Sequence, residues 1–280
     1  MLRQTIFNLL ISASCAVSLT AQTSENNKSY ETHVNLEGED NFRDMGGFIG
    51  ADGKRVLYRK LFRSGELSAL TDADQETIKQ LGLEQVIDLR TAHEVEEKPD
   101  RIPSDIKMYF YPLMANDPSG KTVNAESFIV DVLSGKYSAK EKMLEFYGTI
   151  DTQKKKGFET VFNLLETGKT TLWHCQAGQD RAGMTAALVL WSLGVNRADI
   201  VKDYLATKTY LAKSYEQYHN YISTKYGKEA LEKLKKNFGP SEAFINAFLD
   251  NIEKEYGSVD TFLETIHVDV NKMRTNYLES

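Results

Sequence analysis

The chain has 280 residues, with 40 acidic and 34 basic side chains and a net charge of −6. Hydrophobic residues make up 41% and charged residues 26%, which are the proportions of a globular protein with a sizeable core. The acidic balance argues against a nucleic-acid partner, because such a protein needs a basic face. Cys15 and Cys175 are too few for a disulfide framework or a zinc site of several thiolates.

The first 21 residues are typical of a secretory signal peptide. Arg3 supplies a positive charge, an apolar segment runs from Ile6 to Leu19, and Ala21 offers a small residue at the cleavage site. Ser12-Ala13-Ser14-Cys15 is a rival, lipoprotein-type site in which Cys15 would carry lipid. We therefore expect an exported protein, either periplasmic or secreted. Residues 22–38 are polar and predict a tether before a domain at 39–280.

Strand-like and helix-like segments alternate through the first half of this domain. The predicted elements are, in chain order, a helix that begins at Thr71 and stops at Gly82, a strand at 85–89, a helical turn with a capping box at Thr91 and Glu94, a strand at 108–111, a strand at 170–174 and a helix at 182–193. This alternation predicts an α/β fold with a mainly parallel sheet and helices on its faces.

Two further regions are predicted around these elements. Residues 114–150 are interpreted as a lid or insertion that opens with a long loop at 114–136, and a helical pattern follows from 140 to 167. The run Lys154-Lys155-Lys156 is interpreted as a solvated turn. Residues 195–280 predict C-terminal helices whose aromatic stripes belong to the core. After cleavage no segment has 18 consecutive apolar residues, so we expect no transmembrane span.

The most informative segment lies between the predicted strand at 170–174 and the helix that follows it. It is the sequence His174-Cys175-Gln176-Ala177-Gly178-Gln179-Asp180-Arg181. Backbone N–H groups from Gln176 to Arg181 can converge on one anion, and the start of the helix adds partial positive charge. Gly178 permits a positive φ, and Arg181 can hold two phosphate oxygens. The pattern predicts a phosphate-binding loop.

Cys175 is the predicted nucleophile, because the field that holds a phosphate also stabilises a thiolate. Arg181 and the loop amides would hold the phosphoryl group. His174 is predicted to hydrogen-bond behind the loop. No cofactor or metal is needed, and the expected partner is a phosphorylated protein or a small phosphomonoester.

The loop resembles that of the Cys-dependent protein tyrosine phosphatases. More narrowly, the chain is similar to the secreted bacterial tyrosine and lipid phosphatases of the mycobacterial and Listeria type. The segments that carry this narrower resemblance are Asn41–Gly47, Leu61–Thr71, Val86–Arg90 with Glu94-Val95, Asp203–Leu205 and Tyr256–Ser258. The resemblance covers residues 36–280 and implies a phosphatase fold with a four- or five-stranded sheet, an inserted helical lid and extra C-terminal helices.

Two positions depart from the loop of that family, which carries Lys and Thr where this chain has Gln179 and Ala182. Gln179 removes a positive charge from the rim and weakens the case for highly charged inositol phosphates. Ala182 removes a hydroxyl that would assist breakdown of the phosphocysteine. The resemblance implies that Asp180 is the general acid. Asp117, on the predicted lid, is the alternative.

Some charged residues near the predicted site have two interpretations. Asp88 and Arg90 follow a strand that should neighbour the loop strand, so we expect them to support the site, with a surface ion pair as the alternative. Arg43 and Arg63 could meet distal phosphates, but structural pairing is favoured for both. The predicted activity is phosphotyrosine hydrolysis. The alternatives are a phosphoinositide or inositol-phosphate phosphatase and a pseudophosphatase that binds phosphorylated ligands without turnover.

Overall fold

Short runs of β-branched and aromatic residues form a five-stranded sheet in the computed structural model, which describes residues 32–114, 125–235 and 239–280. The strands are β1 (Arg43–Asp44), β2 (Leu61–Ser64), β3 (Gln85–Asp88), β4 (Lys107–Phe110) and β5 (Thr171–His174). Their order is β1-β2-β5-β3-β4, and only β1 runs antiparallel to its neighbour. The prediction of a mainly parallel α/β sheet is confirmed.

Helices cover both faces of this sheet. Within the described ranges they are α1 (Asp72–Gln80), α2 (Ala92–Glu97), α3 (Ala125–Leu133), α4 (Ala139–Gly148), α5 (Thr152–Leu165), α6 (Asp180–Ser192), α7 (Arg197–Tyr210), α8 (Ala212–Tyr226), α9 (Lys228–Lys235), α10 (Glu242–Tyr256), α11 (Val259–Thr265) and α12 (Val270–Tyr277). None of them is both long and apolar enough to cross a membrane, as judged over the described residues.

Alternation along the strands divides the interior into two cores. On β5, Leu172 belongs to the smaller core, which it shares with Ile78 of α1. The next residue, Trp173, points to the opposite face and belongs to the larger core, with Phe158 of α5 and Phe248 of α10. All four residues of β5 are buried, which explains why its two consecutive central residues, Leu172 and Trp173, are both apolar.

The register of the three central strands brings their carboxyl ends together. Ser64 of β2 and Asp88 of β3 are both aligned with His174, the last residue of β5. The loops that follow these strands therefore emerge side by side at one edge of the sheet, which is where ligands bind in open α/β folds.

The structure differs from two of the predicted segments because of packing that is distant in sequence. The predicted loop at 114–136 contains helix α3, whose Ile129 is buried against Ile222 of α8 and Leu234 of α9 in a small separate cluster. The predicted tether at 22–38 overlaps the folded unit, which begins at Thr32, and Leu36 is buried in the smaller core. Residues 115–124, with Asp117, lie outside the described residues.

Two smaller predictions about charged residues were also wrong. The lysine run at 154–156 lies within α5 rather than in a turn, and Lys154 is buried. Its ammonium group donates to the carbonyls of Phe146 and Thr149 at the end of α4, where partial negative charge collects. Helix α6 begins at Asp180, two residues before the predicted start at residue 182. Asp180 and Arg181 are thus in its first turn.

Candidate active site

Strand β5 ends at His174, so Cys175 is the first residue of the loop that leads into α6. The thiol is free and only 2% exposed, so it lies at the bottom of the site. The first bond inside the helix runs from the amide of Gly183 to the carbonyl of Gln179. Amides before that point have no partner within the helix, and they carry its positive end.

Four successive carbonyls of the loop are held from behind. The carbonyl of Gln176 accepts from the amide of Glu66 at 3.1 Å, and the carbonyl of Ala177 accepts from Asn41 Nδ2 at 3.0 Å. Arg63 Nη2 donates to the carbonyls of Gly178 at 2.7 Å and Gln179 at 3.3 Å. These bonds fix the backbone of the predicted phosphate-binding loop on the side that faces the sheet.

Gly178 is essential to this arrangement. Its φ is +67°, in the left-handed region, and a Cβ at this position would lie 2.4 Å from the carbonyl oxygen of Ser64. The loop thus rests directly on the end of β2, which only glycine allows.

Glu94 of α2 holds the side chain of Arg181. Its two oxygens each accept from one Nη atom of the guanidinium at 2.6 Å. Burial alone would raise the pKa of Glu94, but Arg181 outweighs it and lowers the pKa to about 2. Burial would likewise lower the pKa of Arg181, and Glu94 raises it instead. The pair is therefore ionised at every pH at which the protein would be assayed.

The same carboxylate begins its own helix. Glu94 Oε2 accepts from the amide of Thr91, and the Thr91 hydroxyl accepts from the amide of Glu94, which confirms the predicted capping box. The sequence identified Glu94 as a cap but gave no sign that it binds Arg181.

His174, Asp88 and Arg90 meet on the β3 side of the loop, joined by Asp100. Asp88 accepts hydrogen bonds from Nε and Nη2 of Arg90. Asp100 also accepts from Arg90 Nη2, at 2.8 Å. His174 Nε2 lies 3.1 Å from Asp100 Oδ2, as an ion pair whose alignment is poor for a hydrogen bond. Burial lowers the pKa of His174, but Asp100 and then Asp88 raise it by more. Sequence reasoning missed Asp100.

Asp88, Asp100 and His174 also offer ligand atoms within 4.8 Å of one another, which makes them the group of described residues that could hold a metal ion. Arg90 donates hydrogen bonds to both carboxylates of this group. A guanidinium therefore neutralises them, and a metal ion would have to compete with it. We assign the group to an ion-pair network.

Polar side chains from the helices surround Asp180 on the other side of the loop. Its Oδ1 accepts from Tyr147 of α4 at 2.6 Å and from Gln179 Nε2 at 2.9 Å. The side-chain oxygen Oε1 of Gln179 accepts from the hydroxyl of Tyr215 of α8, and the hydroxyls of Tyr147 and Tyr204 lie 2.7 Å apart. Burial, and then Asp180, raises the pKa of all three tyrosines, so they are neutral.

Arg43 and Arg63 lie beneath the loop and pair with Asp203 of α7. Arg43 Nε is 3.0 Å from Asp203 Oδ1, and Arg63 Nη1 is 2.6 Å from Asp203 Oδ2. All three side chains are buried. The prediction of structural pairing is confirmed over the alternative of distal phosphate contacts. Their shared partner was not foreseen.

Comparison with known proteins agrees with this geometry. Residues 34–279 match the tyrosine phosphatase family. The triple specificity protein phosphatase PtpB of Mycobacterium tuberculosis is 31% identical over 271 residues, which is 85% of this chain and 96% of that protein. A relative from Cupriavidus necator is 29% identical over 256 residues, or 85% of each chain. The chain belongs to the tyrosine phosphatase family, and it is a Cys-dependent phosphatase.

The crystal structure of P. aeruginosa TpbA matches 82% of this chain and 95% of that protein, with 13% identity and a TM-score of 0.31.

Proposed function

We propose that the protein hydrolyses phosphotyrosine in proteins through a phosphocysteine intermediate. The observation that carries this proposal is the phosphate loop with its carbonyls held from behind, Cys175 at its base and Arg181 fixed by Glu94. Each part has a role in phosphoryl transfer, which depends on positioning and on stabilising negative charge.

The proposed reaction has two steps. The Cys175 thiolate attacks phosphorus, the bond to the ester oxygen breaks, and the departing phenol takes a proton from Asp180. Water then attacks the phosphocysteine, Asp180 recovers a proton from it, and inorganic phosphate and the thiolate are released. Arg181 and the loop amides hold the phosphoryl oxygens throughout.

The general acid can be tested by varying the leaving group. Asp180 is half-buried at the start of α6, with one carboxylate oxygen occupied by Tyr147 and Gln179. In Asp180→Asn we expect kcat to fall by about 10²–10⁴ with phenyl phosphate and much less with p-nitrophenyl phosphate, whose leaving group needs little protonation. Equal losses with both esters would remove Asp180 from this role and favour Asp117.

The neutral rim supports a singly phosphorylated substrate. Where the resembled family carries a lysine, Gln179 is buried and bonded to Asp180 and Tyr215, which places an amide rather than a cation on this side of the loop. A phenol ring with one phosphate needs no second cation. This favours phosphotyrosine over a polyphosphorylated inositol.

One observation favours phosphoinositides as a second candidate. A groove of about 870 Å³ borders Tyr215 and is lined by Lys208, His219 and Lys235, which could attract additional phosphates. A panel of phosphotyrosine peptide, phosphoserine peptide and phosphoinositide, run with wild type and Cys175→Ser, separates the two. Phosphotyrosine turnover that vanishes in Cys175→Ser and survives chelators supports the proposal. Preference for phosphoinositide would replace it with the second candidate.

We also propose that the protein is exported. Arg3, the apolar segment to Leu19 and Ala21 support a signal peptide. N-terminal sequencing of the exported protein should begin near Gln22. A lipidated Cys15 at the N-terminus would establish the lipoprotein route instead, and an uncleaved cytoplasmic chain would contradict export.

A further inference from the structure

Arg63 is a fully buried cation directly behind the nucleophile loop. It lies on β2, one residue before the point where Gly178 rests on the backbone, and its side chain is 0% exposed. Its Nη2 holds the loop through the carbonyl of Gly178, and its Nη1 pairs with Asp203. The Nε atom is buried without a hydrogen-bond partner among the described residues.

Arg63 and Cys175 influence each other electrostatically. Burial and then Arg43 lower the pKa of Arg63 to about 10, although Asp203 and then Cys175 act in the opposite direction. Because electrostatic coupling is reciprocal, a cation that is stabilised by the thiolate also stabilises the thiolate. Arg181 has the same relation to Cys175 from the front.

The surrounding charges decide which of the two arginines is compensated. The charged and titratable groups around the loop are Arg43 on β1, Arg63 on β2, Asp88 on β3, Glu94 on α2, Tyr147 on α4, His174 on β5, Asp180 and Arg181 on α6, Asp203 and Tyr204 on α7, Tyr215 on α8, and Glu39, Arg90 and Asp100 in loops. In front, Glu94 neutralises Arg181. At the side, Asp88 and Asp100 neutralise Arg90 and protonated His174.

Behind the loop the charges do not cancel. Arg43 and Arg63 share one carboxylate, Asp203, so this buried group carries an excess of one positive charge. Glu39 is also near, but burial raises its pKa to about 7, and at pH 6 it is mostly protonated. Asp180 lies on the helical side of the loop, where it accepts from Tyr147 and Gln179, and the three tyrosines are neutral.

We propose that Arg63 is the counter-ion of the Cys175 thiolate, a positioning residue that stabilises the ionised nucleophile from behind the loop. Arg181 then serves the phosphoryl group in front. The proposal rests on the role of Cys175 as the nucleophile. In the resting enzyme the thiolate would then be stabilised by Arg63, a residue that does not touch the substrate.

The test is the pH dependence of Cys175 alkylation by iodoacetamide, because only the thiolate reacts. The full chain is compared with Arg63→Met, Arg63→Lys, Asp203→Asn and a control, Arg55→Met, whose arginine is partly exposed and pairs with Glu279. We expect the midpoint of the wild type to shift upward by about one to two pH units in Arg63→Met. Arg63→Lys should stay near wild type, since it keeps the charge. The control should not shift.

Asp203→Asn keeps the test decisive if Arg63→Met fails to fold. It raises the positive excess behind the loop, so the midpoint should move downward, the opposite of what general damage would cause. An unchanged midpoint in Arg63→Met, equal shifts in Arg63→Met and Arg63→Lys, or an unchanged or upward shift in Asp203→Asn would each overturn the proposal. Alkylation needs no phosphatase turnover, so a failure of phosphotyrosine hydrolysis would be seen separately.

Discussion

The two flanks of the phosphate loop hold it with different chemistry. On the β3 flank, Arg181 and His174 are held by carboxylates, Glu94 and Asp100, in buried ion pairs. On the helical flank, Asp180 is held by neutral groups. The side-chain amide of Gln179 and the hydroxyl of Tyr147 both donate to its carboxylate. Removing one member of a buried ion pair strands a charge, whereas removing a neutral partner costs one hydrogen bond. The β3 flank should therefore be the fragile one.

The largest effect is expected for Asp100→Asn, which removes the carboxylate nearest His174 and one of the two carboxylates that hold Arg90. Loss of one member of a buried pair costs about 3–5 kcal/mol in the free energy of unfolding. Denaturant titration should show this loss near neutral pH. Asp105→Asn, an exposed aspartate in the same connection, is the matched control.

The pH dependence of that loss has a defined sign. Burial would raise the pKa of Asp100, but His174 lowers it from 3.8, while the pKa of His174 is raised from 6.5. The pair therefore adds most stability between these two values. Its contribution declines below pH 3.8 as the carboxyl is protonated, and above pH 6.5 as His174 deprotonates. A difference between wild type and Asp100→Asn that grows toward alkaline pH would contradict the ion pair.

The next effect concerns catalysis. In Glu94→Gln, Arg181 loses its ionised clamp, and we expect kcat with an aryl phosphate to fall by about a hundredfold because the guanidinium is misplaced. Glu97→Gln, on the exposed side of the same helix, should leave kcat unchanged. An unchanged kcat in Glu94→Gln would mean that the loop orients Arg181 without help from this flank.

Ala182→Ser tests whether a hydroxyl in α6, the helix that follows the loop, would speed the release of the Cys175 thiolate. The residue is fully buried, and a serine adds one oxygen that can assist departure of the Cys175 thiolate. A hydrogen bond to a charged group is worth about 1.5–3 kcal/mol. If its absence slows phosphocysteine breakdown, rapid mixing of wild type should show a burst of phenol, and the serine variant should have a faster steady phase. No burst, together with an unchanged steady rate, would show that the backbone amides suffice.

The smallest effect is expected on the helical flank. Tyr147→Phe removes one hydroxyl between Asp180 and Tyr204. We expect a loss of about 1 kcal/mol in unfolding free energy and a kcat much closer to wild type than that of Glu94→Gln. Tyr109→Phe on β4 is the control. A loss as large as that of Asp100→Asn would erase the distinction between the flanks.

The sequence predicts the site where its parts are neighbours in the chain. Strand β5, the loop and α6 form one continuous segment, so Cys175, Gly178 and Arg181 follow from local spacing. The partners that hold this segment are far away: Glu94 is 87 residues from Arg181, and Asp203 is 140 from Arg63. No local pattern records which distant carboxylate meets which arginine.

Helix α3 was missed for the same reason. Its apolar residues are stabilised by α8 and α9, about a hundred residues later, rather than by any neighbour in sequence. The role of Gln179 was predicted only as the loss of a charge. Its bond to Tyr215 depends on the position of α8, which composition and spacing do not fix.

The close contact between Gly178 and the backbone of Ser64 has a consequence for inhibitors. With no room for even one methyl group, the loop is wedged against the sheet and gains its shape during folding. A phosphate mimic therefore enters a cradle that is already ordered, and little conformational entropy is lost on binding. Compounds with a compact, rigid dianion should be the most efficient per atom, and their potency should depend on how well the rest of the molecule fits the walls outside the loop.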